Sequence, residues 1–233
     1  MVRVTYLYHS GFMVETNKTC LVFDYYTVDG KFDNIDLSAF KNKSVFVFVS
    51  HSHQDHFDKK IFEWKNMNIR YILSNDCIYD NGIDNVTIVN ANKGYIIDGI
   101  AIETLKSTDE GVAFVVHSDG LTVYHAGDLN WWHWNEESNE FNDMIKKQYT
   151  CEIDKIKGIS VDIAFVPVDP RLEDKYILAI DYLMRSIDVS YVFPMHFWQD
   201  YRIFDALFDD ERTEDYRDSI EKITKPGQVF EYE

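Results

Sequence analysis

The chain predicts a mixed α/β fold organised around a sizeable β-sheet. The first half is a succession of short β-rich segments. The second half alternates strands with amphipathic helices, as βαβ-like units do. No Gly/Ser-rich or Pro-rich linker and no short-period repeat interrupts the 233 residues, so residues 1–233 are expected to form one domain.

Val2–Tyr8, Phe12–Thr16 and Cys20–Asp24 read as strands, with turn candidates at Ser10-Gly11 and Asn17-Lys18 between them. Ser44–Ser50 contains the unbroken apolar run Val-Phe-Val-Phe-Val, which suits a strand buried on both faces. Short strands follow at Arg70–Leu73, Val86–Val89, Gly94–Ile97 and Ile100–Lys106. Val112–His117 and Leu121–Ala126 form a hairpin about Ser118-Asp119-Gly120. Glu136–Ile156 places Phe141, Met144, Ile145, Tyr149, Ile153 and Ile156 at helical spacing, with acidic residues leading and lysines later, as the helix dipole favours. A strand at Ile163–Val168, a helix at Leu172–Ile187 and a strand at Tyr191–Pro194 come next. Helical stretches at Tyr201–Phe208 and Arg212–Ile220 and a last strand at Gln228–Tyr232 complete the pattern.

Composition narrows the function. Hydrophobic residues make up 45% of the chain and Gly plus Pro only 14 residues, a globular rather than a disordered profile. The formal net charge is −17, which disfavours a nucleic-acid partner, because phosphate contacts need a basic surface. The longest apolar runs, Ser44–Ser50 and Ile163–Val168, are too short to span a bilayer, so no membrane partner is expected. Met1–Tyr6 already reads as a strand rather than a secretion leader. Cys20, Cys77 and Cys151 are odd in number and widely spaced, which points to a reducing, cytoplasmic setting.

The densest chemical signal is Ser50-His51-Ser52-His53-Gln54-Asp55-His56-Phe57-Asp58, directly after the buried strand. Imidazoles and carboxylates are the donors that divalent metals such as Zn2+ prefer. Residues two apart share a face at a strand end, so His51 and His53 can point the same way. Asp55 and His56 turn onward with the chain and can serve a second ion. Four clustered ligands would be expensive to desolvate without a metal.

This HxHxDH block resembles the metallo-β-lactamase superfamily. Further blocks extend the resemblance in family order over nearly the whole chain: Tyr8-His9-Ser10-Gly11-Phe12, Leu21-Val22-Phe23-Asp24, Tyr124-His125-Ala126-Gly127-Asp128 and Phe193-Pro194-Met195-His196-Phe197-Trp198. Their wording is closest to the small single-domain branch that includes ascorbate-phosphate lactonase-like proteins. The resemblance implies a metallo-β-lactamase-like αβ/βα four-layer sandwich with metals at one edge between the sheets. It assigns His51 and His53 to a first metal, Asp55, His56 and His196 to a second, and Asp128 between them. For Asp24, orienting a ligand imidazole and capping a strand end stand as equal readings, and for His9, lining the site and simple packing do.

One departure stands out. The family's third histidine for the first metal falls where this chain has Ser107, within Thr104–Gly111. Asp109, two residues on, is the expected substitute, with His117 and His125 discounted because they lie within or beyond the next strand. An oxygen donor there shifts preference toward Mn2+ or Fe2+.

Trp131, Trp132 and Trp134 follow Asp128 on a loop and suggest a pocket wall, or else packing of the next helix. Arg171, in Asp169-Pro170-Arg171, is placed either to meet an anionic substrate group or to form a surface salt bridge. The expectation is a metal-dependent hydrolase acting on a small-molecule ester, lactone, phosphodiester or amide. It would use one or two divalent ions, Zn2+ first, to activate water as a metal-bound hydroxide. Asp55 and Asp128 would serve catalysis by fixing that hydroxide and taking up a proton. A non-catalytic metal- or ligand-binding protein of the same fold is the alternative, and redox iron chemistry ranks behind it.

Overall fold

The computed structural model describes residues 1–28, 35, 40, 42–64, 68–80 and 82–233. Two sheets face each other. The first contains β1 (Val2–Tyr8), β2 (Gly11–Glu15), β3 (Thr19–Phe23), β4 (Ser44–Val49), β5 (Ile69–Ser74), β6 (Val86–Val89) and β13 (Val229–Tyr232), in the order β13-β1-β2-β3-β4-β5-β6. The second contains β7 (Gly94–Ile97), β8 (Ile100–Lys106), β9 (Val112–Ser118), β10 (Leu121–His125), β11 (Ser160–Pro167) and β12 (Asp188–Met195), in the order β12-β11-β10-β9-β8-β7. β3 to β6 run parallel, and so do β10 to β12; the flanking hairpins are antiparallel. This is the sandwich expected from the sequence.

The apolar run in β4 explains how the layers hold together. Phe46 and Phe48 point between the sheets, with Phe12, Phe23, Phe114, Phe165 and Phe193. Val45, Val47 and Val49 point outward with Val22, Ile69, Leu73 and Ile61. Alternate side chains of one strand therefore feed two cores, and each buried Phe or Val contributes about 1.5–3 kcal/mol. Among the described residues, a 3-10 turn at Lys59–Glu63 helps cover this outer face.

On the second sheet's outer side lie α1 (Asn139–Asp154) and α2 (Leu178–Ser186), joined by a hydrogen bond from Tyr149 Oη to the Ala179 carbonyl at 2.8 Å. Ser138 caps α1 by accepting from the Phe141 N–H. Ile145, Tyr149 and Ile153 are buried as the spacing requires, whereas Met144 is exposed. The expected helix over Leu172–Ile187 is broken. Asp169 caps a 3-10 turn at Pro170–Lys175, Glu173 adopts a left-handed φ of 52°, and the helix starts only at Leu178. The expected helix over Arg212–Ile220 is replaced by short 3-10 turns at Glu211–Thr213 and Arg217–Ser219. Thr213 Oγ1 donates back to the Leu207 carbonyl at 2.8 Å and Ile220 bridges to Val192, so local tertiary bonds replace helix propagation. The preceding stretch is helical, as α3 (Arg202–Asp209).

The strand ends deliver chemistry to one rim. Asp24 follows β3, Ser50 and His51 follow β4, Asp128 lies three residues past β10, Asp169 two past β11 and His196 directly after β12. The sheets are clamped there around Ser50: the Val112 N–H donates to its carbonyl at 2.9 Å. Gly111 (φ 69°) and Gly127 (φ 52°) press against it, and an added Cβ would sit 2.0 Å from Ser50 O at Gly111 and 2.6 Å from Ser50 Cβ at Gly127. Only glycine fits either position.

Gly111→Ala should therefore destabilise the metal-free protein by ~3 kcal/mol or more, through combined strain and clash. Gly99→Ala, at φ 88° but with open space around it, should cost only about 1 kcal/mol. Urea unfolding of the two variants checks the difference; equal costs would refute the clamp.

Candidate metal centre

The rim gathers the sequence-predicted donors into two adjoining groups. His9, Asp55, His56 and His196 form one, and His51, His53 and Asp128 the other; within each, one donor atom per residue lies within 4.8 Å of the rest. Asp128 stands between them, its Oδ1 3.2 Å from His56 Nε2 and 3.5 Å from His196 Nε2, and its Oδ2 3.6 Å from His51 Nε2. His9 completes the first group, with Nε2 3.3 Å from Asp55 Oδ2. The sequence weighs His9 evenly between lining and packing; its place in the β1–β2 turn is the available signal.

Three of the imidazoles are oriented from behind. His56 donates from Nδ1 to Asp24 at 2.7 Å, and His196 donates from Nδ1 to Asp169 at 2.9 Å. Ser50 Oγ donates to Asp24 at 2.6 Å and accepts from His51 Nδ1 at 2.9 Å. These bonds turn the Nε2 atoms of His51, His56 and His196 toward the centre, the orientation that metal ligation requires. Asp24 combines the two roles considered for it, since it also accepts the Ser50 N–H at 2.7 Å. Asp169 went unassigned in the sequence reading, although its position at a strand end before Pro-Arg was visible.

Burial and charge set the protonation. Burial drives His9 and His51 down to about 4, so both are neutral at pH 7. Burial works against ionisation of Asp128 too, but His56, His196 and His51 outweigh it and hold the carboxyl well below the usual range. His56 moves the other way: against its burial, Asp128 and Asp24 raise it. Asp169 is held down to about 2 by His196 and Arg171 despite its burial.

His9 Nε2, His56 Nε2 and Asp128 Oδ1 are buried without a hydrogen-bond partner among the described residues. Orphaned lone pairs and a carboxylate converging at one point are what a divalent cation satisfies, and the donor chemistry fits one.

Several of the remaining candidates line an open cavity of about 390 Å3. Asp109 lines it, its carboxylate 3.9 Å from His53 Nδ1, half-exposed and outside the two compact groups. Burial and nearby Asp128 raise its pKa. Ser107 accepts the Asp109 N–H at 3.1 Å and shapes the turn. Glu110, which sequence reasoning passed over, reaches 3.5 Å from His53 Nε2. Trp132 and Trp134 line the cavity as parallel rings 6.0 Å apart, and Trp198 joins them. Trp131 instead packs toward Tyr149 and Tyr182. Arg171 reaches the cavity while donating to Asp169 from Nε and Nη2. His117 pairs with Thr122 on the neighbouring strand, and buried His125 donates to the Ser10 carbonyl, so neither joins the donors.

The family described as "Beta-lactamase superfamily domain" matches residues 3–144. A UPF0173 metal-dependent hydrolase of Saccharolobus solfataricus is 25% identical over 162 residues, 64% of this chain and 70% of that protein. The metallo hydrolase Igni18 of Ignicoccus hospitalis superposes with a TM-score of 0.60 at 20% identity, covering 100% of this chain and 99% of that one. CmlA, a diiron β-hydroxylase of Streptomyces venezuelae, shares the fold at a TM-score of 0.54 and 12% identity, over 84% of this chain and 44% of its own.

The buried histidines predict an acid-labile metal-free protein. Folded-state values of about 4 for His9 and His51 lie below an unfolded value near 6.5, so the unfolded chain binds more protons between those limits. Stability should fall as pH drops from about 6.5 toward 4, by up to about 2–3 kcal/mol per pH unit for the pair. His56, raised, works the other way near pH 6.5, where the unfolded imidazole is only half protonated, and so offsets part of the slope at the top of this window. Urea midpoints in EDTA at stepped pH test this; a midpoint that stays level or rises on acidification contradicts it.

Proposed function

This chain belongs to the β-lactamase superfamily, and we propose that it is a metal-dependent hydrolase acting on a small-molecule substrate in the cavity beside its two donor groups. The observation that carries this reading is the convergence of the Nε2 atoms of His51, His56 and His196 on the buried Asp128 carboxylate. His51 and His53 would hold one divalent ion with Asp109 beside them. Asp55, His56 and His196 would hold another, and Asp128 would contact both. Zn2+ suits the imidazole-rich set; the carboxylates also suit Mn2+ or Fe2+. A divalent ion here supplies Lewis acidity and lowers the pKa of water it binds to about 7.

The chain's own groups do the rest. Asp128 and Asp55, both kept ionised, orient the attacking water and accept its proton. Asp24, Asp169 and Ser50 keep the imidazoles from turning. Trp132, Trp134 and Trp198 present flat apolar surface to the substrate. Arg171 gives the wall a positive charge suited to a carboxylate or phosphate. No side chain needs to form a covalent intermediate, so ester, lactone, phosphodiester and amide bonds all fall within reach. Ser107, in place of a histidine donor, favours a second reading, a metal- or ligand-binding protein without turnover.

Elemental analysis of protein purified without added metal, paired with a panel of those four substrate types, tests the proposal. His53→Ala and His196→Ala should each lower bound metal and Tm together. Full metal content with no turnover on any class would favour the non-catalytic reading, and unchanged metal in both variants would overturn the ligand assignment.

The cavity wall gives its own expectation. Trp132→Ala should raise KM roughly 10-fold with kcat little changed, as loss of uniform binding does. Arg171→Gln should raise KM for anionic members of the panel and not for neutral ones. Unchanged kinetics in both variants would remove the wall from substrate binding.

A further inference from the structure

The two donor groups differ in enclosure. The imidazole of His9 is fully buried, and neither of its ring nitrogens has a hydrogen-bond partner among the described residues. Its backbone is left-handed, at φ 54°, a conformation that a histidine rarely takes without a reason. The conformation is pinned: the His9 N–H donates to Tyr6 Oη at 2.9 Å, and the His196 N–H donates to the His9 carbonyl at 3.4 Å. The ring is held between His196 and Trp198, with centroids 4.2 and 4.1 Å away. The fold thus commits a strained, buried imidazole to the Asp55–His56–His196 side and leaves its nitrogens empty.

The other group lies open. The side chains of His53 and Asp109 are each 44% exposed, with His51 at 0% and Asp128 at 6% behind them, whereas in the first group His9 and His56 are at 0%, His196 at 4% and Asp55, its one member toward the cavity, at 25%. Even with Asp109 drawn in, the open group keeps a solvent-facing side.

Resting on the metal-binding reading above, we propose that the two sites are functionally unequal. His9 joins Asp55, His56 and His196 in an enclosed four-donor site that retains one divalent cation, and the His51–His53–Asp128 site takes a second cation that exchanges with the medium. Closed four-donor sites are the pattern of retained, structural ions, and sites of three protein ligands with an open position are the pattern of ions that meet substrate. Release from the enclosed site requires buried donors to separate, so it is coupled to opening of the fold. Activity would then follow the free concentration of the second ion, while the first stays with the protein.

The test reads metal, not turnover. Protein loaded with Zn2+ and dialysed against a weak chelator should keep one equivalent, and calorimetric titration with Zn2+ should restore a second class at least ~100-fold weaker. X-ray absorption at the zinc edge of the singly loaded wild type should fit three imidazoles; a fit to two overturns the role of His9. His9→Asn, chosen because Asn tolerates left-handed backbone, should lose the retained equivalent, and His53→Ala should keep it while losing the exchangeable one. The proposal fails if both equivalents leave together, if His9→Asn keeps the tight ion, or if His53→Ala loses it. Should His9→Asn fail to fold, the absorption fit and His53→Ala still decide. A two-class metal pattern without hydrolysis would sink the proposed function and leave this inference standing. Hydrolysis with one class of ions would do the reverse.

Discussion

Asp24 sits at 0% exposure where β3 ends, accepting hydrogen bonds from the Ser50 N–H, the Ser50 hydroxyl and His56 Nδ1. A buried carboxylate costs several kcal/mol unless its lone pairs are filled, and here three donors fill them. Against the cost of burial, the neighbouring His125, His56 and His51 keep it ionised. The consequences spread outward. Ser50 is fixed, so Gly111 and Gly127 of the opposite sheet can close upon it. His51 is aimed through the Ser50 hydroxyl and His56 directly. One side chain thereby sets the seam between the sheets and the direction of two imidazoles.

Negative charge concentrates at that seam. Asp24, Asp55, Asp128 and Asp169 are all held in their ionised form; Arg171 pairs with Asp169, and the raised His56 lies between Asp24 and Asp128. His9 and His51 stay neutral, so the histidines do not balance these carboxylates fully. A divalent cation both relieves the repulsion and fills the empty lone pairs. The overall charge of −17 reinforces the local field and draws cations toward the rim.

The parts of this design that were legible in the sequence share a physical trait: they are local. The run in β4 announces a doubly buried strand, and the donors follow strand ends within one to seven residues, so His51, His53, Asp55, His56, Asp128 and His196 could be named from spacing and resemblance. What was not legible depends on contacts far along the chain. His9 gains its partners only when β12 brings His196 alongside it. Asp169 both orients His196 and caps the 3-10 turn that, with left-handed Glu173, delays α2 until Leu178. A periodicity count over Leu172–Ile187 had no means of registering either bond. The tryptophan loop behaved similarly: three rings close in sequence point two ways, and the packing of α1 and α2 decided which two meet the cavity.

The spread of the donors along the chain has a temporal consequence. His9 to Asp55 leave the ribosome early, Asp128 later and His196 last, and the enclosed group exists only once β12 has docked. At synthesis rates of about 5–20 residues per second, His196 trails His53 by on the order of 10 s. A nascent chain thus displays a few loose histidines that can grip soft or abundant ions weakly, but it has no finished cage in which to trap one. The choice of ion is deferred to the folded protein, whose rim shape and donor set then govern what is kept.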